Sequence, residues 1–199
     1  LGKKVLLIDA DLRKPTIHQR LKLNNIVGLS NLLTDSKIKV SDVSQKVKGF
    51  NNWFVITSGT KVPDPTLLLS SERMREINKN LKESDDFDLI IYDAPPLVGL
   101  SDSLLISENT DGVILVVSLN NVDRTLPKKT LQKLRSGGSK VLGIVTNNNI
   151  KEEENIMGDN DYTYATYASY SDKTNSNLIK SEENLFVKIK NKLKKLFDN

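Results

Sequence analysis

The sequence predicts an α/β domain, a parallel sheet covered by helices on both faces, and two observations carry that prediction. Five short apolar, largely β-branched runs are too continuous for half-exposed antiparallel strands, and longer amphipathic stretches of crossover length lie between them. In order, the strands are read at Val5 to Ile8, Val55 to Thr57, Leu89 to Tyr92, Val113 to Val117 and Val141 to Thr146. The principal helices are read at Thr66 to Glu83, Asp102 to Glu108 and Asp123 to Arg135. Gly28 before LSNLL, and Pro63 and Pro65 before TLLLSSERM, mark two further loop-to-helix junctions. In such a sheet, polar residues at the carboxyl ends of the strands converge on the crevice where ligands bind.

Composition bounds the function classes. The 199 residues are 38% hydrophobic and 27% charged, enough for one well-buried domain with appendages and too polar for a membrane-embedded chain. No stretch approaches the roughly 20 apolar residues of a membrane span. Without cysteine there is no disulfide framework, thiolate metal site or thiol nucleophile. Lys plus Arg number 29 against 25 Asp plus Glu, and the basic residues form no single face, which argues against nucleic acid as a partner.

The organisation reads as a core over residues 1–150 and a tail over 151–199. Between 151 and 176 two lysines face six acids, and four of the five tyrosines cluster there. Between 180 and 199 six lysines face three acids, with Leu185, Phe186, Ile189, Leu193 and Leu196 at helical spacing. The first block reads as a flexible segment, the second as a short amphipathic helix. The chain opens LGKKVLLIDAD with no initiator methionine, so it reads as cut rather than begun, and its character is cytoplasmic.

Three carboxylates stand where the crevice rule directs attention. LLIDADLRKP puts Asp9 at the end of the first strand and Asp11 two residues later, on the same side if extension continues, with α-carbons roughly 6 to 7 Å apart. LIIYDAPP delivers Asp93 in the equivalent position, before Pro95 and Pro96 turn the chain away from helix. Three such groups repel one another and lose hydration, and Mg2+, a hard cation with oxygen ligands, compensates both costs. The alternative for each is an ordinary turn or cap residue. Arg13 suits a carboxylate or a phosphate, and Lys14 has no assigned chemistry. Asn147, at the end of the last core strand, suits either a purine edge or a solvent-exposed turn. The sole histidine, His18, reads as structural.

At these residues the chain resembles the bacterial tyrosine kinases of capsular and exopolysaccharide synthesis, a branch of the deviant P-loop ATPases that also includes cell-division-site and plasmid-partition ATPases. VLLIDADLRKP (5–15) is similar to their second Walker-type motif, DLIIYDAPP (88–96) to Walker B, and WFVITSGTKVPDPTLLLSSERM (53–74) to the kinase branch. The resemblance implies a P-loop NTPase-like fold, ATP and Mg2+ as cofactors, and protein-tyrosine phosphorylation. By it, Asp9 and Asp11 assist magnesium and activate the acceptor tyrosine, with their roles exchangeable or shared. Asp93 orients magnesium through its water shell, and Tyr162, Tyr164, Tyr167 and Tyr170 are acceptors; Arg13 and Asn147 are the nucleotide contacts that side-chain chemistry, rather than the resemblance, offers. It also implies self-association in a ring, a membrane polysaccharide co-polymerase or activator, a cognate tyrosine phosphatase, and a place at the inner face of the plasma membrane.

The departure from the family pattern is at the front. No GxxxxGK[ST]-like run occurs in the 199 residues, and RSGGSKVLG around Gly137 and Gly138 has the wrong spacing and precedes the last strand. The expectation is therefore a family domain lacking its first strand, P-loop and first helix. A partition or cell-division-type ATPase, and a noncatalytic regulatory subunit of the same fold, are the alternatives to a kinase.

Overall fold

The computed structural model describes residues 2–97, 101–119 and 125–148. In chain order its elements are β1 (Val5–Asp9), α1 (Ile17–Leu21), α2 (Leu29–Thr34), α3 (Val40–Val43), β2 (Ser44–Lys46), β3 (Trp53–Ile56), α4 (Pro65–Leu69), α5 (Glu72–Glu83), β4 (Leu89–Asp93), α6 (Asp102–Ser107), β5 (Val113–Leu119), α7 (Leu126–Ser136) and β6 (Val141–Asn148).

The apolar run of β1 is continuous because the strand is interior. It pairs in parallel with β3 on one side and β4 on the other, with Leu7 opposite both Val55 and Ile91. Leu6 and Ile8 point to one face, where they pack with Ile56, Leu32, Leu69, Met74 and Ile77. Val55 lies on the other face, in a smaller cluster with Ile17, Val47 and partly buried Leu7 and Leu21. Helices thus flank the sheet on both sides. Each fully buried Leu or Ile contributes about 1.5–3 kcal/mol.

α5 carries Met74, Ile77, Asn78 and Leu81 on its buried face, the spacing of an amphipathic helix, with Glu72 in its first turn and Lys82 in its last. The single helix expected over Thr66 to Glu83 is two. Ser71 is the reason: its Oγ donates to the Leu68 carbonyl (2.6 Å), closing α4, and accepts from the Met74 N–H (3.2 Å), capping α5. Asp64 caps α4 by accepting from Leu67 N–H, with Pro65 at the first helical position.

Two further features depart from the expected single parallel sheet. The short β2, which is too polar to show a strand pattern, adds antiparallel to β3, so the sheet is mixed, in the order β2-β3-β1-β4. β5 and β6 pair in parallel with each other as a separate two-stranded sheet rather than joining the first.

At the carboxyl end of β3, backbone crowding sets the course of the chain. Leu29 N–H donates to the Thr57 carbonyl (2.7 Å) and Ser30 N–H to the Ser58 carbonyl (2.9 Å), tying the start of α2 to the strand end. A Cβ at Gly28 would stand 2.2 Å from the Thr57 oxygen, so only glycine permits that approach.

Candidate active site

Parallel pairing of β1 with β4 puts Asp9 directly opposite Asp93, at the carboxyl ends of neighbouring strands. The ladder continues one step further, Ala10 N–H donating to the Asp93 carbonyl at 2.9 Å. Register and the two-residue pleat place both carboxylates on one face. Asp9 is fully buried, whereas Asp93 is exposed. Oδ2 of Asp9 accepts from Ile17 N–H at the start of α1 (3.3 Å), and Oδ1 has no hydrogen-bond partner. A buried carboxylate oxygen without a donor is costly, which marks Asp9 as a position held for something other than stability.

Asp11 has left the strand. Its Oδ1 accepts the backbone N–H groups of Arg13 (3.2 Å) and Lys14 (2.9 Å), turning the chain toward α1, so the capping role that the sequence offers as an alternative is realised at this oxygen. The three acids still act on one another. Burial pushes the Asp9 carboxyl up to about 6, against the Ile17 hydrogen bond, with the charges of Asp93 and Asp11 adding to the rise. Asp93 is raised by desolvation and then by Asp11, with Arg20 opposing. Mutual repulsion of this kind is what a divalent cation relieves. Among the described residues, no group of three or more acidic, His or Cys side chains converges tightly enough to bind a metal directly. The arrangement therefore fits Mg2+, which keeps most of its waters and takes only one or two carboxylates, better than an all-protein cage.

Arg13 is engaged by protein rather than left to a ligand. Its Nε donates to Asp102 Oδ2 (2.6 Å) and its Nη2 to Asp102 Oδ1 (3.4 Å) and Thr66 Oγ1 (2.9 Å). Thr66 Oγ1 in turn donates to Asp102 Oδ1 (2.8 Å). Asp102, 1% exposed, is the functional candidate that sequence reading missed; there it is only the first residue of a helix. Its signal is slight, an acid beginning the helix that follows DAPP. Beside it, Ser103 Oγ donates to the Pro95 carbonyl in the turn after Asp93.

Asn147 is exposed, opposite Ser118 on the β5–β6 sheet. His18 is half-buried in α1, its carbonyl accepting from Leu23 N–H (2.9 Å) and its Nδ1 buried without a hydrogen-bond partner. Tyr162, Tyr164, Tyr167 and Tyr170, with the rest of 151–199, lie outside the described residues.

Comparison with known proteins gives these residues a context. The family model described as an AAA domain matches residues 1–126. Tyrosine-protein kinase CpsD of Streptococcus agalactiae is 32% identical over 175 residues, spanning 85% of this chain and 69% of that protein. The chain belongs to the bacterial tyrosine-kinase family of P-loop ATPases. Tyrosine-protein kinase YwqD of Bacillus subtilis (strain 168) is 38% identical over 148 residues, and the match spans 73% of this chain but 60% of that family member. Among solved structures, the chimerical protein CapA2B2 superposes with a TM-score of 0.69 at 31% identity, over 76% of this chain and 65% of the other. The septum site-determining protein MinD from Pyrococcus horikoshii, at 22% identity and TM-score 0.58, covers 85% of this chain and 66% of its own, and shares the fold alone. The architecture is thus P-loop NTPase-like.

Proposed function

We propose that this chain carries the acid cluster of an ATP-dependent protein-tyrosine kinase that phosphorylates itself and regulates capsular or exopolysaccharide synthesis and export. One observation carries the reading: in a chain of this kinase family, Asp9 and Asp93 stand in register on adjacent strands, with Asp9 buried and one of its oxygens unpartnered. A carboxylate raised toward neutrality suits it to take a proton from a phenol as the new bond forms. In the reaction the tyrosine oxygen bonds to the γ-phosphorus of ATP, the bond to the β,γ-bridging oxygen breaks, ADP departs, and the phenolic proton passes to the carboxylate. We assign the base to Asp9 and magnesium support to Asp11, with exchange or sharing of the two roles as the alternative, and Asp93 orients the metal's water shell. Magnesium, when bound, supplies neutralisation of phosphate charge.

The phosphates need a cradle, and no GxxxxGK[ST]-like run occurs in these 199 residues to provide it. Residues 1–199 alone therefore give little or no ATP-dependent tyrosine phosphorylation. Tyr162, Tyr164, Tyr167 and Tyr170 are the acceptors, reached from a neighbouring subunit of a ring. A membrane co-polymerase activates the kinase and a tyrosine phosphatase reverses it, at the inner face of the plasma membrane. No helix of the described residues is long and apolar enough to cross a membrane.

The test is phosphate mapping of the full native polypeptide with Mg-ATP. Phosphate on the four tyrosines, abolished by Asp9→Asn, is expected. ATP consumption with all four unmodified points instead to an ATPase of the partition type, and robust transfer by residues 1–199 alone overturns the need for that cradle.

A further inference from the structure

Two adjacent buried side chains on one helical turn grip the two strand tails that bear the acids. Asp102 binds Arg13, which lies four residues beyond Asp9 and whose backbone N–H also donates to Asp11. Ser103 binds the carbonyl of Pro95, two residues beyond Asp93. The first grip spans 89 residues and is part-buried; the second spans 8 and is buried. We propose that the first turn of α6 is the positioning element of the acid cluster: Asp102 and Ser103 together fix the spacing between the tail of β1 and the tail of β4, and Asp102 keeps the Arg13 cation off the carboxylates.

The chemistry favours positioning over stability as the reason for this pair. Both Asp102 oxygens are satisfied, by a forked guanidinium and by Thr66, in the orientation-defining geometry that arginine alone offers. A buried ion pair at best roughly offsets its own desolvation, so two apolar residues would serve the core as well. An ion pair defines direction, and it joins three segments: the turn after β1, the start of α4 and the start of α6. With Asp102 neutralised, Arg13 loses its anchor. A guanidinium two residues from Asp11 then competes with any divalent cation for the same carboxylates.

The inference builds on the carboxylate-site reading, and two measurements separate the two. The first is hydrogen–deuterium exchange on the chain without metal. Asp102→Asn is expected to speed exchange at the Arg13 and Lys14 amides at least tenfold, and Ser103→Ala at the Ala10 amide, which donates to the Asp93 carbonyl, with α5 amides unchanged. Exchange that rises only within α6, or equally throughout α5, overturns the positioning role. The second is titration with Mn2+ alone, read by electron paramagnetic resonance of the free ion. Asp102→Asn is expected to weaken binding about fivefold or more, and Asp102→Asn with Arg13→Gln to restore it to within about twofold of the parent. A double variant as weak as the single one overturns the claim that Asp102 restrains a competing cation, and it remains informative if the single variant folds poorly. Absence of Mn2+ binding by the parent overturns the claim that Asp102 restrains a competing cation and, with the exchange pattern as expected, leaves the brace standing, while failure of the phosphate mapping strikes the carboxylate-site reading by itself.

Discussion

β1 and β3 on one side and the β5–β6 pair on the other are similarly apolar in sequence and behave differently in the fold, while β4, with Leu89 51% and Ile91 43% exposed, resembles the second group. In the first group Leu6, Val55 and Ile56 are wholly buried. In the second, Ile114 is 59% exposed, Val116 65% and Val145 51%. The difference is one of neighbours. β1 has a hydrogen-bonded strand on each side and helices on each face, whereas β5 and β6 have chiefly each other and α7. A run of β-branched residues therefore encodes a parallel strand and its partner, but burial depends on what else is packed around it. Asp9 sits in the buried group, where desolvation can tune it, whereas Asp93 ends the more open β4 and Asn147 lies exposed on β6.

The sharpest way to break this contrast is a paired truncation. Ile8→Ala, in the core of the first sheet, is expected to cost about 2–5 kcal/mol, whereas Val116→Ala stays within about 0.5 kcal/mol; denaturant midpoints at constant m-value measure both. A comparable contrast holds for glycine. Gly28→Ala forces a methyl onto the Thr57 carbonyl and is expected to cost about 1–3 kcal/mol, while a Cβ at Gly143 of β6 meets nothing within 4 Å, so Gly143→Ala is neutral or slightly stabilising.

The pH dependence differs in sign between the regions. Asp9 has a folded value of about 6 against 3.8 unfolded, so the folded chain retains the proton more tightly. Its contribution is present in full below about pH 4 and is lost as pH rises through about 6. Asp9→Asn is expected to remove that slope and to raise stability near pH 7 by about 1–2 kcal/mol, measured by thermal unfolding across pH 3–8. Asp111, just before β5, is lowered by the Lys82 hydrogen bond and charge, so its contribution runs the other way and fades as pH falls. Both partners of that pair are exposed, and Lys82→Ala is expected to leave the unfolding midpoint unchanged within error, the smallest effect of the set.

Much of this architecture was legible from residue order. Five strand runs and their helical crossovers follow from periodicity, and Asp9 and Asp93 follow from the rule that strand carboxyl ends face the crevice. Ser44–Lys46 was not legible, because three polar residues carry no pattern and join the sheet only because β3 offers an edge. The break at Ser71 was not legible either, since one hydroxyl serving two helix ends looks like any serine inside an amphipathic stretch. Asp102 lies 89 positions from Arg13, and no local signal announces a partner at that distance.

By itself the sequence determined the strand and helix inventory, the acids at the strand ends and the family, because hydrophobic period and motif spacing are local properties of the chain. Only the tertiary structure decided that Asp9 is buried beside Asp93, that Arg13 is held by Asp102 rather than left for a phosphate, and that the strands divide into two sheets. Those outcomes depend on which groups lose water together, and desolvation is a property of the packed neighbourhood, not of the residue.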